Sequence, residues 1–279
     1  MTYLTNMKGF KLVILDYDGT LVGRSGIVSP KTREAIKKTV QKGVKVSIST
    51  GRSPFSLKVL IKELSLDLPH VFLAGALVLN PIKELVLQEE PIDKSSILET
   101  IDFSENNNLY LEAATQKQLY HGLLDSPYVA VRKKQMAETL LKTDIRKLAE
   151  KEKILIMRMV IDKKNDHLFH DFQDKTQEKL NFQVGYPYAY PEMEIVNITD
   201  ISVSKVSALR HLCQYLKISP DETIAIGDSP IDLPLIENVG LGIAVGNATK
   251  IVKNKAKWIT KSAEEDGVAV ALEKFVIKE

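Results

Sequence analysis

Two stretches of regular alternation, separated by a long middle region without it, constrain this fold most. In the first, Lys11–Leu15 is a short apolar run that reads as a buried strand. Pro30–Gly43 reads as a helix: Ser29 suits the N-cap, Pro30 the first helical position, and Gly43 falls at the end. Val44–Ser49 predicts a second strand and His70–Ala74 a third. Between them, Pro54–Leu64 predicts a helix with Leu57, Leu60, Ile61 and Leu64 at helical spacing. Strands joined through helices pair in parallel, because a parallel pair needs a crossover connection. The rhythm resumes with a helix at Ser204–Leu216, strands at Thr223–Ile226 and Ile243–Val245, and a helix at Ala248–Ala256.

The middle region is mixed. Glu84–Gln88, Leu109–Ala113 and Ile154–Ile161 read as strands, another opens at Gln183–Gly185, and Met193–Asn197 closes the region. Ala137–Lys151 and Leu168–Leu180 read as helices. Pro81 and Pro91 on one side, and Pro187 and Pro191 on the other, mark plausible boundaries. The simplest architecture is α/β: a discontinuous core domain with a Rossmann-like parallel sheet, residues 1–80 and 198–279, and an α+β domain inserted at 81–197. Cys213 is the one cysteine, so an intrachain disulfide and a Cys-based zinc site are both excluded, and a reducing, cytoplasmic compartment fits. With 38 basic and 36 acidic residues the net charge is +2, so no nucleic-acid partner is expected. The apolar run Leu12–Leu15 ends at Asp16, too short for a signal peptide or a membrane span, so no membrane partner is expected.

Acidic residues follow two of these strands. Asp16-Tyr17-Asp18-Gly19-Thr20 sets two carboxylates and a glycine directly after the first strand, where open α/β sheets place ligands. Asp and Gly are also ordinary turn residues. Gly227-Asp228-Ser229-Pro230-Ile231-Asp232 repeats the pattern from the other end of the chain, where a helix N-terminus would equally favour acids. Four carboxylates at strand ends, with no cysteine cluster, are hard oxygen ligands that suit Mg²⁺. Ser49-Thr50-Gly51-Arg52 offers a hydroxyl and a glycine N–H that can hold a phosphate oxygen, and is equally good turn chemistry. Lys205 opens a predicted helix; a lone lysine there is ordinarily a solvated surface residue.

Taken together and in order, these features resemble the haloacid dehalogenase (HAD) superfamily of aspartyl-phosphate phosphatases. Asp16–Thr20 resembles its first motif, Thr50 the second, Lys205 the third, and Gly227-Asp228 with Asp232 the fourth. Thr50-Gly51-Arg52, Val203-Ser204-Lys205, Gly242–Ala248 and Glu265-Asp266-Gly267-Val268 are similar to the Cof-type subfamily. The resemblance implies a HAD core with a C2-type cap as the insert. It implies that Asp16 is the nucleophile and Asp18 the general acid and base. It further implies that Asp16, the Asp18 carbonyl and Asp228 bind Mg²⁺, with Asp232 supporting the metal directly or through water. Thr50, the Gly51 N–H and Lys205 would hold the phosphoryl oxygens. The expected function is hydrolysis of small phosphorylated metabolites: sugar phosphates, polyol phosphates or phosphorylated cofactors. A phosphomutase using the same intermediate and a non-catalytic HAD-fold binding protein are the alternatives. The chain departs from the subfamily at Ala74 and Ile231, where Asn is usual.

Other signals carry less. His167 and His170 share a predicted helix face but lack further ligands. Gly240, Gly242 and Gly246 have the wrong spacing for a dinucleotide loop. Arg132-Lys133-Lys134 reads as a solvated face, and Tyr186, Tyr188 and Tyr190 as boundary packing or substrate contacts.

Overall fold

The computed structural model describes residues 9–124, 126, 128–130, 140–162, 166–185 and 193–278. The chain begins with β1 (Leu12–Asp16), α1 (Pro30–Gln41), β2 (Lys45–Ser49), α2 (Pro54–Glu63), β3 (His70–Phe72), β4 (Leu77–Asn80) and β5 (Leu85–Glu89). The middle holds α3 (Lys94–Asn106), β6 (Tyr110–Ala114), β7 (Leu119–His121), β8 (Leu140–Lys142), α4 (Ile145–Ala149), β9 (Ile156–Asp162), α5 (Asp166–Thr176), β10 (Leu180–Gly185) and β11 (Met193–Asp200). The last part holds α6 (Lys205–Leu216), β12 (Thr223–Gly227), α7 (Leu233–Glu237), β13 (Leu241–Ala244), α8 (Lys250–Lys255), β14 (Trp258–Ile259) and α9 (Gly267–Leu272). Contacts divide the described residues into two compact units. The first comprises the residues up to Gly51, Lys58–Leu87 and those from Lys205 onward; the second comprises Arg52–Leu57 and Gln88–Ser204.

The first unit is built on an eight-stranded sheet, ordered β14-β13-β12-β1-β2-β3-β4-β5. From β14 to β3 every pairing is parallel, and β4 turns back antiparallel to β3. β1 lies inside this sheet and is buried along its whole length. Leu12 and Ile14 pack with Leu209, Leu212 and Cys213 of α6 and Leu235 of α7. Burial on both faces is why β1 reads as an uninterrupted apolar run. Asp16 ends β1, Gly227 ends the neighbouring β12, and Thr50 follows the neighbouring β2. The parallel sheet therefore delivers all three segments to one edge.

The second unit has a six-stranded sheet, ordered β10-β11-β9-β6-β7-β8, antiparallel except between β7 and β8. On one face, Met157, Met159, Val196 and Ile198 form a core with Ile97, Ile101, Leu148, Phe169 and Phe172 from α3, α4 and α5. On the other, the registers align Lys142, His121, Glu112, Arg158, Asn197 and Gln183 in one polar row across all six strands. Within it, Arg158 Nε donates to Asn197 Oδ1 at 2.8 Å, and Arg158 and Glu112 form a buried ion pair at 3.6 Å. Such a buried pair adds little net stability, but removing one partner would leave an uncompensated buried charge.

Three expectations for the middle region change. The helix expected over Ala137–Lys151 is, from residue 140 on, strand β8 followed by α4; Asp144 accepts the Arg146 and Lys147 N–H groups and starts the helix there. The helix expected to reach Leu180 stops at Thr176, whose hydroxyl bonds back to the Phe172 carbonyl, and Leu180 opens β10. Helix α3, which the sequence reading left unassigned, starts at Asp93, whose carboxylate accepts the Ser96 N–H. The Arg132–Lys134 run and Tyr186, Tyr188 and Tyr190 lie outside the described residues.

The β2–β3 ladder is short, and a side chain extends it. His70 Nδ1 accepts the Ile48 N–H at 3.1 Å, which leaves the proton on Nε2, 3.2 Å from the Leu66 carbonyl. Burial lowers the His70 pKa to about 4, against the opposing pull of the Leu66 carbonyl. The folded ring is neutral above that value, whereas the unfolded ring takes up a proton below about 6.5. Stability from this site is complete above pH 6.5 and declines by up to about 1.4 kcal/mol per pH unit as pH falls toward 4. Urea unfolding of wild type and His70→Gln between pH 7 and 4 should therefore give a steeper acid loss in wild type. Equal slopes would contradict a buried neutral imidazole.

Candidate active site

The loop after β1 is shaped by its own backbone. The Leu21 and Val22 N–H groups both donate to the Tyr17 carbonyl, and the Gly19 N–H donates to the Val22 carbonyl. Gly19 has a φ of +84°, and a Cβ built on it would lie 2.4 Å from Asp228 Oδ2. Only glycine admits both the left-handed backbone and that approach. The turn seats Thr20, whose hydroxyl donates to Asp228 Oδ1 at 3.1 Å.

Lys205, the first residue of α6, is buried rather than solvated. Its Nζ lies 2.7 Å from Asp16 Oδ1 and 2.6 Å from Asp232 Oδ1, and donates to the Ser49 carbonyl at 3.4 Å. Burial opposes its charge, but the Asp16 and Asp232 carboxylates outweigh it and raise its pKa above the usual lysine value. Asp232 Oδ2 accepts the Asp228 N–H, the Ser229 N–H and the Ser229 hydroxyl at 2.9–3.2 Å. Asp232 thus braces both Lys205 and the loop after β12.

Asp16, Asp228 and Asp232 each offer a carboxylate oxygen, all within 4.8 Å of one another. Burial pushes the Asp16 pKa well up, and Asp232 and Asp228 add to the rise while Lys205 pulls against it. Burial and Asp232 push the Asp228 pKa up to about 7, against the Thr20 hydroxyl and Lys205. Close-set carboxylates that favour protons in this way are hard oxygen donors suited to a divalent cation. The Asp18 carboxylate is exposed and stands outside this trio. His167 and His170 are exposed on α5 and join no group of three possible ligands among the described residues.

Thr50 is buried beside the trio's sheet edge. Its N–H donates to the Val71 carbonyl, and its own carbonyl accepts the Ala74 N–H at 3.1 Å. Leu73, Ala74 and Gly75 take φ values of +50°, +61° and +110° in the turn after β3. Ala74 meets this left-handed geometry at a steric cost that Asn, the usual subfamily residue, bears more easily. Ile231, at the other departure, lies half-buried in the turn between Pro230 and Asp232. Sequence reasoning passed over the Ser49 hydroxyl, which is buried with no hydrogen-bond partner among the described residues, on the residue paired in register with Asp16. It also gave no role to Asn247, whose amide meets the Gly19 carbonyl.

No helix among the described residues is long and apolar enough to cross a membrane. A family model of haloacid dehalogenase-like hydrolases matches residues 13–272. The 5-amino-6-(5-phospho-D-ribitylamino)uracil phosphatase YwtE of Bacillus subtilis is 29% identical over 283 residues, covering 95% of this chain and 98% of its own. Another Bacillus subtilis protein named for the same phosphatase activity, YcsE, is 27% identical over 267 residues, with 96% of each chain covered. Among solved structures, a haloacid dehalogenase-like hydrolase from Bacteroides thetaiotaomicron has a TM-score of 0.83 at 23% identity, over 95% of this chain and 99% of that one, a likeness of fold. The family match takes in both acidic loops, Thr50 and Lys205, and the chain belongs to the haloacid dehalogenase-like hydrolases.

Proposed function

We propose that this phosphatase is a Mg²⁺-dependent phosphomonoesterase that works through an aspartyl-phosphate on Asp16. The observation that carries the reading is the Lys205 ammonium seated between Asp16 and Asp232, with Asp228 beside them at the sheet's carboxyl edge. The substrates are small phosphorylated metabolites, with polyol and sugar phosphates first. Two relatives whose names carry a phosphorylated ribityl group support that choice. For residues 81–197 we propose the role of an inserted cap domain, with residues 1–80 and 198–279 as the core.

A phosphate dianion 4 Å from one carboxylate is repelled by about 8 kcal/mol at an effective dielectric near 20. A bound divalent cation supplies the opposing charge. Asp16 and Asp228 would hold it, with the Asp18 carbonyl, while Asp232 supports the site through its grip on Lys205 and the Asp228 loop. Asp16 then attacks phosphorus, and the bond to the leaving oxygen breaks. Asp18 protonates that oxygen and afterwards takes a proton from the water that attacks the aspartyl-phosphate. An exposed Asp18 carboxylate, outside the trio, suits a group that must exchange protons. Thr50, the Gly51 N–H and Lys205 hold the phosphoryl oxygens and stabilise charge as it develops.

Phosphate release from p-nitrophenyl phosphate should require Mg²⁺, stop in EDTA and be lost in Asp16→Asn. A panel of polyol and sugar phosphates should then yield the better substrates. Undiminished release by Asp16→Asn would overturn the mechanism. Lys205→Met keeps the aliphatic stem but leaves Asp16 and Asp232 facing each other. It should cost about 3–5 kcal/mol of unfolding free energy in EDTA, read by urea denaturation. A loss below about 1 kcal/mol would show that the ammonium does not hold the cluster together.

A further inference from the structure

We propose that Asn247 is a positioning residue for the loop that carries Asp16 and Asp18. The inference rests on the phosphatase reading above. Asn247 lies in the segment after β13. Its Nδ2 donates to the Gly19 carbonyl at 2.7 Å, and its Oδ1 accepts the Ala263 N–H at 2.8 Å. A carbonyl on one side and an N–H on the other fix the orientation of the amide. The side chain is otherwise exposed, so these two bonds are its main contribution.

The carbonyl it holds matters because of where Gly19 stands. Gly19 separates Asp18 from Thr20, and Thr20 donates to Asp228. Lacking a Cβ, it is the residue of that run with the widest backbone freedom. Its N–H is already held by Val22, so its carbonyl is the group through which the Gly19–Thr20 peptide can still swing. A swing there would pull Thr20 from Asp228 and loosen the turn that follows Asp18. The amide of Asn247 removes that freedom.

Asn247 is itself held on both sides. The Val245 N–H donates to the Gly227 carbonyl, the Gly246 N–H to the Lys261 carbonyl, and the Thr249 N–H to the Asp228 carbonyl. The turn that Asn247 touches extends the same grip. Glu264 Oε1 accepts the Arg24 N–H at 3.2 Å, and the Asp266 carboxylate accepts the Ser29 and Thr32 hydroxyls. The segment from Gly19 to Thr32 is thus tied at several points to residues 247–266. This gives a physical use to Gly246-Asn247-Ala248 and Glu265-Asp266-Gly267, which the chemistry left unused.

Asn247→Asp keeps the shape and the acceptor for Ala263 but loses the donor to Gly19; Asn247→Ala loses both without adding charge. Two readouts decide. With any phosphate ester that the wild type turns over, kcat in both variants should fall about 10–100-fold while KM changes less than about threefold. The melting temperature should stay within about 4 °C of wild type. Hydrogen exchange followed by mass spectrometry should show faster exchange confined to residues 16–24, a readout that needs no turnover. Loop exchange like that of wild type, or a loss of kcat matched by global destabilisation, would overturn the proposal. A wild type that releases no phosphate from any ester would count against the phosphatase reading, and loop exchange would still decide the role of Asn247.

Discussion

The ammonium of Lys205 holds together two carboxylates that would otherwise repel. It joins Asp16 at the end of β1 to Asp232 after β12, and it does so out of water. Burying a charge is tolerable only when partners of opposite sign and hydrogen bonds replace the lost hydration. Three carboxylates around one ammonium leave the cluster short of positive charge, and this adds to burial, the larger cause, in raising the pKa values of Asp16 and Asp228. Such a cluster of hard oxygen donors suits a divalent cation. The parallel sheet brings those charges to one edge. Gly19 allows the Asp228 carboxylate to come close, and the Asp232 brace fixes the loop that carries it.

Around that cluster, rigidity is assembled from side chains that perform no chemistry. Thr20 reaches Asp228, Asn247 reaches the Gly19 carbonyl, and Asp266 gathers the hydroxyls of Ser29 and Thr32. The loop after β1 buries Tyr17, Leu21 and Val22, and hydrogen bonds from other segments fix the polar residues between them. An ordered loop loses less freedom on reaching the reactive geometry.

Much of the parallel core was legible in the sequence because period and punctuation agreed there. β1 is apolar up to Asp16 because it is buried on both faces, and α1 announces itself with Ser29 and Pro30. The middle region was harder. Leu180 continues the spacing of Phe169 and Phe172, so nothing in the pattern separates the last helical turn from the first residue of β10. The charged run through Lys142 and Arg146 hides a break at Asp144, which only its capping bonds reveal. At the site, Asp16 meets Lys205, Asp228 and Asp232 from more than 180 residues away in sequence, as its pair with Lys205 illustrates. The burial of Lys205 could not be read from composition, because a lysine at a helix start is ordinarily solvated. Nor could the role of Asn247, which depends on a carbonyl more than 200 residues away.

The most direct test of the account is to trap the intermediate. Wild-type protein mixed with Mg²⁺ and a phosphate ester would be quenched with borohydride, which reduces an acyl phosphate to an alcohol, and then digested and sequenced by mass spectrometry. The account predicts conversion of Asp16, and of no other carboxylate, to homoserine, and only when ester and metal are both present. Phosphate released with Asp16 unmodified, or modification at Asp18 or Asp228 instead, would contradict it.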